Sequence, residues 1–215
     1  MYKFSALFIL LFGVAFSALA QESTRNVNEL WTGFSLKYKL DKKYTFSLEQ
    51  QTRTTDNLNN IKSNFFELGV KRKFNKVLSA KFQYRYTIRS EKRNVNRFSL
   101  DGNAKWKLKK PNLSLNYRMR MQHSNVVYTG EPFTFLRNKF QVEYNFSKLV
   151  DPYAGYEMFY FFQDNELAVN RYTIGLNWRL NKDLELKSFL RIDQEINKKN
   201  PEQQNVVAFL LSYGF

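Results

Sequence analysis

The chain has 215 residues, a formal net charge of +15, 17% aromatic residues and no cysteine. The length suits one domain. The lack of cysteine excludes disulfides, thiolate metal sites and a lipid anchor on a cleavage-site cysteine. Such a charge would ordinarily suggest nucleic acid, but the basic residues form no patch or run and recur at alternate positions, so no nucleic-acid partner is expected.

Residues 1–20 set Lys3 before an apolar run from Phe4 to Phe16, followed by Ser17-Ala18-Leu19-Ala20. A basic start, a short apolar middle and an Ala-x-Ala ending describe a cleaved secretory signal, with cleavage expected after Ala20. The run is shorter than the roughly 20 residues that a spanning helix needs. No second long apolar segment follows, which excludes a helical inner-membrane protein. Residues 21–29 are polar on both faces and are expected to form a weak first strand or an extended segment inside a lumen.

From residue 30 onward the pattern has a period of two, the mark of strands with two unlike faces. In 30–40, Leu30, Phe34, Leu36, Tyr38 and Leu40 alternate with Lys37 and Lys39. In 44–54, Tyr44, Phe46 and Leu48 oppose Glu49, Gln51 and Arg53; in 65–74, Phe66, Leu68, Val70 and Phe74 oppose Glu67, Lys71 and Lys73. The segment 78–89 is the cleanest, with Phe82, Tyr84 and Tyr86 against Lys81, Arg85 and Arg89. Further segments follow around Phe98–Leu108, Leu113–Met121 and Leu136–Phe146. Residues 153–162 are apolar on both faces, with Glu157 the only charge. Two more segments run over Tyr172–Leu180 and Leu184–Asp193, and the last, 206–215, carries Val207, Phe209, Leu211, Tyr213 and Phe215 on one face.

Short polar turns are expected at 41–43, 75–77, 109–112, 147–151 and 181–183, and longer loops at 55–63, 90–96, 123–134, 164–168 and 196–204. Alternating short and long connections, apolar-out and polar-in strands, and a terminal aromatic describe an all-β, antiparallel transmembrane β-barrel. Its short turns face the periplasm and its longer loops lie outside. Eleven strands are clear; because single-chain bacterial barrels use even numbers, about twelve are expected, within a range of 10–12. Tyr38, Tyr44, Phe74, Trp106, Tyr144, Phe146, Trp178, Tyr213 and Phe215 fall beside the short turns or the terminus, as a girdle at the periplasmic interface. Tyr213 and Phe215 are the candidate assembly signal, read by the barrel-assembly machinery.

Leu30-Trp31-Thr32-Gly33-Phe34 opens the first clear strand, Leu40-Asp41-Lys42-Lys43-Tyr44 makes its turn, and Glu49-Gln50-Gln51-Thr52-Arg53 ends the hairpin. Tyr84-Arg85-Tyr86 and Asn116-Tyr117-Arg118-Met119-Arg120 repeat the arginine-ended upward strand. With these phrases the chain, from about residue 28 to 215, resembles the domain of unknown function 2490 family of small outer-membrane barrels found largely in Bacteroidota. The resemblance implies a bacterial outer-membrane location, with lipid and lipopolysaccharide as surroundings, and no assigned activity.

The lumen is the informative constellation. By parity it receives Lys37, Lys39, Arg53, Lys71, Lys73, Lys81, Arg85, Arg89, Lys105, Lys107, Arg118, Arg120, Arg137, Lys139, Arg171, Arg179, Lys187 and Arg191. It receives fewer acids: Glu49, Glu67, Asp101, Glu143, Glu157, Glu185 and Asp193. Buried charges must be paired, so the surplus is expected to be hydrated or to meet small anionic solutes. Arg85, Arg118, Arg120 and Arg137 are the candidates for a selectivity constriction. His123, the one histidine, neighbours Ser124; adjacent strand residues point to opposite faces, so no catalytic pair is expected, nor a metal site or cofactor. Three readings result: a narrow anion-favouring pore, a plugged structural or surface-binding barrel, and a lipid-modifying enzyme at the rim.

Overall fold

The computed structural model describes residues 25–55 and 60–215. The expected signal at 1–20, residues 21–24 and the loop residue Asp56 lie outside this range. The described chain forms eleven strands: β1 (Arg25–Lys39), β2 (Tyr44–Thr55), β3 (Asn60–Lys73), β4 (Leu78–Arg89), β5 (Val95–Leu108), β6 (Leu113–Val126), β7 (Pro132–Tyr144), β8 (Val150–Phe161), β9 (Glu166–Arg179), β10 (Leu184–Glu195) and β11 (Glu202–Gly214). Each pairs with its sequence neighbour, and β1 pairs with β11 to close the barrel.

The twelfth strand does not exist among the described residues. Residues 25–29 do not run upward as a separate strand; they extend β1 at its start. β1 therefore runs in the same direction as β11, and the seam is parallel, with Arg25 opposite Glu202 and Lys37 opposite Gly214. A parallel ladder satisfies backbone donors and acceptors along its whole length as an antiparallel one does, so the odd count leaves no open edge. At the foot of the seam, Lys39 N–H donates to the Phe215 carbonyl and Phe215 N–H to the Lys37 carbonyl, both at 2.9 Å.

Four of the five short turns use one device. The side-chain oxygen of Asp41, Asn75, Ser147 or Asn181 accepts from the backbone N–H groups two and three residues ahead. Asx and Ser/Thr side chains can imitate a backbone turn in this way. Tyr44 N–H and Lys43 N–H, each 2.6 Å from Asp41 Oδ1, hold the Asp41 carboxyl below its ordinary range. The remaining turn closes on Asn112, whose φ of 67° suits an asparagine better than most side chains. Asn112 and Asn145 exchange side-chain-to-carbonyl hydrogen bonds across this end.

The strands are longer than the periodicity suggests at the opposite, loop end. β2 and β3 consume most of the expected 55–63 loop, and β6 and β7 most of 123–134, leaving 127–131. With 12 to 15 residues each, the strands exceed the 9–11 that a tilted strand needs to cross a bilayer. Parity follows the alternation: Leu68, Phe82, Leu100 and Leu190 are more than half exposed on the outer wall, while Glu67, Gln83, Asp101 and Arg120 are buried inside.

The interior also holds apolar side chains that alternation alone does not announce. Trp31, Tyr153, Phe189, Val206 and Ala208 cluster on the inner face beside the seam, and Phe65 and Phe159 are buried elsewhere in the lumen. A barrel of about eight strands is just filled by side chains, whereas sixteen or more leave a water channel. Eleven strands lie between these cases, and the inner wall carries arginine and aromatic side chains.

Candidate functional site

The inward residues of β3 to β6 form one charged layer. Arg85, from β4, reaches across to Glu67 on β3, with Nε at 2.7 Å from Oε2. Gln83 donates to the other oxygen of Glu67 and accepts from Arg120 at 2.7 Å. Arg120 grips Asp101 with two parallel hydrogen bonds, at 2.6 and 2.7 Å, the fork geometry that gives guanidinium its advantage over ammonium. The chain Arg85–Glu67–Gln83–Arg120–Asp101 is thus continuous.

A second layer is centred on Glu157 of β8, which is 2% exposed. Arg118 lies 2.6 Å from it, Arg137 2.9 Å and Arg171 3.6 Å. Arg137 also donates to Gln122 at 2.8 Å, and Arg171 forks onto Asp193 of β10. One buried carboxylate with three guanidinium groups is stable only as a fully connected set, because each unpaired buried charge would carry a large desolvation penalty.

Aromatic rings complete the packing. Arg53 lies 3.9 Å over Trp31 and 5.2 Å from Phe65; Arg85 covers Phe65 at 3.6 Å, and Arg191 reaches Trp31 at 4.9 Å and Phe189 at 4.5 Å. Guanidinium and ring therefore alternate in the order Arg191, Trp31, Arg53, Phe65, Arg85. Phe159 is held likewise between Arg137 at 4.1 Å and Arg171 at 4.6 Å. Such contacts are worth more when desolvated, as they are here.

All four predicted constriction arginines lie in the lumen, and each is bound to a carboxylate: Arg85 to Glu67, Arg120 to Asp101, Arg118 and Arg137 to the same Glu157. The structure brings Arg118 and Arg137 together and links Arg120 to Arg85 through Gln83. Among the described residues, half of the inward bases named from sequence make no ion pair, Arg53, Lys107 and Arg191 among them. Tyr213 and Phe215 stand together at the foot of the seam, with Phe215 5.4 Å from Tyr38 and 6.0 Å from Tyr213 between ring centroids. His123 lies outside, 2.9 Å from Thr134 by Nδ1 and Oγ1. Ser124 is buried inside, where it accepts from Arg97 at 3.2 Å.

The inward residues that the alternation does not name include Arg97, Glu29, Asp151 and Trp31. Arg97 precedes the period-two segment that starts at Phe98, so the pattern gives it no face. Glu29 belongs to a stretch polar on both faces, yet it is buried and accepts from Trp31 at 2.6 Å and pairs with Lys62. Asp151 falls in the expected 147–151 turn, yet it lies inside on β8 and takes Arg179 at 2.9 Å. Trp31 shares the parity of Lys37, and that parity was the available signal for it.

A family description, protein of unknown function (DUF2490), matches residues 28–205. No curated protein matches the chain.

Proposed function

The chain belongs to that family of proteins of unknown function, and because the description assigns no activity we propose one from the barrel: an outer-membrane protein with its lumen closed at mid-height, acting as a structural or surface-binding barrel. Support for the membrane setting comes from the outer wall. Leu68, Phe82, Leu100, Phe140 and Leu190 are each more than half exposed, and they belong to an apolar surface carried by every strand. Soluble monomers rarely expose patches beyond a few hundred Å², whereas lipid covers such a band in a transmembrane barrel. Export by the signal at 1–20, insertion by the assembly machinery, and lipid and lipopolysaccharide as surroundings belong to the same proposal.

The observation that carries the closed lumen is the burial of Glu157 beneath three arginines. A water column through the barrel would wet that carboxylate, along with Asp101 at 3% and Gln122 at 3% exposure. Recording from the purified barrel in a planar bilayer tests the reading. No stable unitary conductance is expected; reproducible ohmic steps would overturn it.

One observation favours a second reading, the narrow anion-favouring pore: the inward bases that lack a carboxylate partner. If the lumen conducts, replacing Arg85 and Arg118 by Glu shifts the reversal potential under a salt gradient towards cations, more strongly at low salt where screening is weak. If it is closed, the same replacements lower stability without creating selectivity.

A further inference from the structure

The loop end of the barrel, between β1 and β5, opens into a polar cleft of about 740 Å³. Its lining carries seven basic residues and two acidic ones. Two of the bases are already neutralised, Lys62 by Glu29 and Arg85 by Glu67. The other five, Arg25, Arg53, Arg89, Lys92 and Arg97, have no carboxylate partner among the described residues. We propose that this cleft binds a small phosphorylated sugar, its phosphate held by Arg53, Arg89, Lys92 and Arg97.

Three features point to an anion. Arg97 stands directly opposite Arg85 in the β4–β5 ladder; like charges directly opposite are unfavourable, and Glu67 pairs with Arg85 and not with Arg97. Among the described residues, the hydrogen-bond partner of Arg97 is the neutral Ser124 hydroxyl. The face of Arg53 is occupied by Trp31 and Phe65, its Nε is buried without an acceptor among the described residues, and its side chain lines the cleft. A guanidinium fixed by stacking loses little freedom on forming a fork with phosphate.

Size and neutral lining choose the rest of the ligand. The volume lies in the range of small-molecule sites. Asn26, Asn28, Thr87 and Ser90 border the same cleft and supply the uncharged donors and acceptors that sugar hydroxyls require. The site rests on the closed-lumen reading in one respect: the Arg85–Glu67 layer is its floor.

The test is calorimetric titration of the detergent-folded barrel, in phosphate-free buffer at low salt, with glucose 1-phosphate, inorganic phosphate and glucose. Saturable binding of glucose 1-phosphate is expected, tighter than that of inorganic phosphate. Arg97→Gln, and separately Arg89→Gln with Lys92→Gln, should each weaken it at least about tenfold, the loss of a charge-assisted hydrogen bond. Lys107→Gln, at the short-turn end, should leave it unchanged. Heat-modifiable migration on gels verifies that each variant is folded; the Arg89 and Lys92 pair carries the test if Arg97→Gln does not fold. Absence of saturable binding, equal weakening by Lys107→Gln, or inorganic phosphate binding as tightly as the sugar phosphate would overturn the site. A barrel that conducts in a bilayer yet binds the sugar phosphate with this variant pattern removes the closed lumen and supports the site; a silent barrel that fails to bind removes the site alone.

Discussion

Glu157 and Glu185 are both inward acids on the same alternation, and burial separates their consequences. Glu157 holds Arg118 and Arg137, neither of which has another carboxylate partner among the described residues. Glu157→Gln strands both guanidinium groups and is expected to cost about 3–5 kcal/mol, as for a broken buried pair. Glu185 meets Lys37 at 3.5 Å with both side chains exposed by more than 40%, so Glu185→Gln should cost no more than about 1 kcal/mol. Urea titration of the refolded barrel in lipid vesicles would compare them, and similar midpoints for the two variants would contradict the buried network. Gly175 gives a second test. A Cβ there would strike the Ser188 carbonyl and come within 2.8 Å of the Tyr153 ring, so Gly175→Ala should destabilise by about 1–3 kcal/mol, as overpacking does; an unchanged urea midpoint would show that Tyr153 has room to retreat. At this scale the sequence revealed faces but not partners. Alternation put Arg118 inside correctly, yet its carboxylate comes from β8, two strands away. Which inward side chains share a height depends on the stagger of the whole barrel, and no single strand records that. The inner position of Arg97 was legible in principle, since it lies two residues before the inward Ser99, but it falls between the expected 90–96 loop and the segment that begins at Phe98.

The strands themselves were the most legible feature, because nearly all have two unlike faces, β8 being apolar on both, and because an Asp, Asn or Ser punctuates the short turns. Strand starts at the loop end were the least legible. Residues such as Arg25, Asn26 and Asn28 are polar, and polarity at a barrel mouth carries no period that distinguishes strand from loop. The same stretch hid the seam. Nothing in 25–29 signals a parallel partner, since parallel pairing is decided by where the barrel closes. The seam makes the terminal residue an element-scale part. Phe215 gives β1 two backbone hydrogen bonds and packs its ring, tilted, against Tyr38. Deleting Phe215 should reduce the heat-modifiable, folded fraction recovered from membranes. Undiminished recovery would mean that the ladder from Arg25 to Lys37 closes the barrel without its foot. Phe82, at 52% exposure on the outer wall, tests the opposite face. Phe82→Arg should cost roughly 2–4 kcal/mol if it lies near the bilayer midplane, and a cost below 1 kcal/mol in vesicles would argue against lipid contact there.

At the scale of the whole molecule, eleven strands and a parallel seam set the direction of the chain. β11 descends from Glu202 at the loop end to Gly214 at the short-turn end, and β1 descends beside it from Arg25. An even-stranded barrel of the expected kind would begin and end at the same rim. This one begins its first strand at the rim that carries the cleft and finishes its last strand at the other. The arrangement also divides the interior charge. Most inward arginines, able to fork and stack, occupy mid-height and the loop end, Arg179 beside the 147–151 turn being an exception; Lys37, Lys39, Lys71, Lys73, Lys105 and Lys107 gather at the short-turn end, where flexible ammonium groups can reach water. If the short turns face the periplasm, Arg25 enters from outside the cell. An epitope inserted immediately before Arg25 should then be labelled by antibody on intact cells, and one inserted in the 181–183 turn should be labelled only after the outer membrane is opened. Labelling in the reverse pattern would invert the barrel in the membrane and place the basic cleft in the periplasm. An upward strand ahead of β1 would instead carry the first epitope to the periplasmic rim, so labelling of neither epitope on intact cells would restore the even-stranded arrangement.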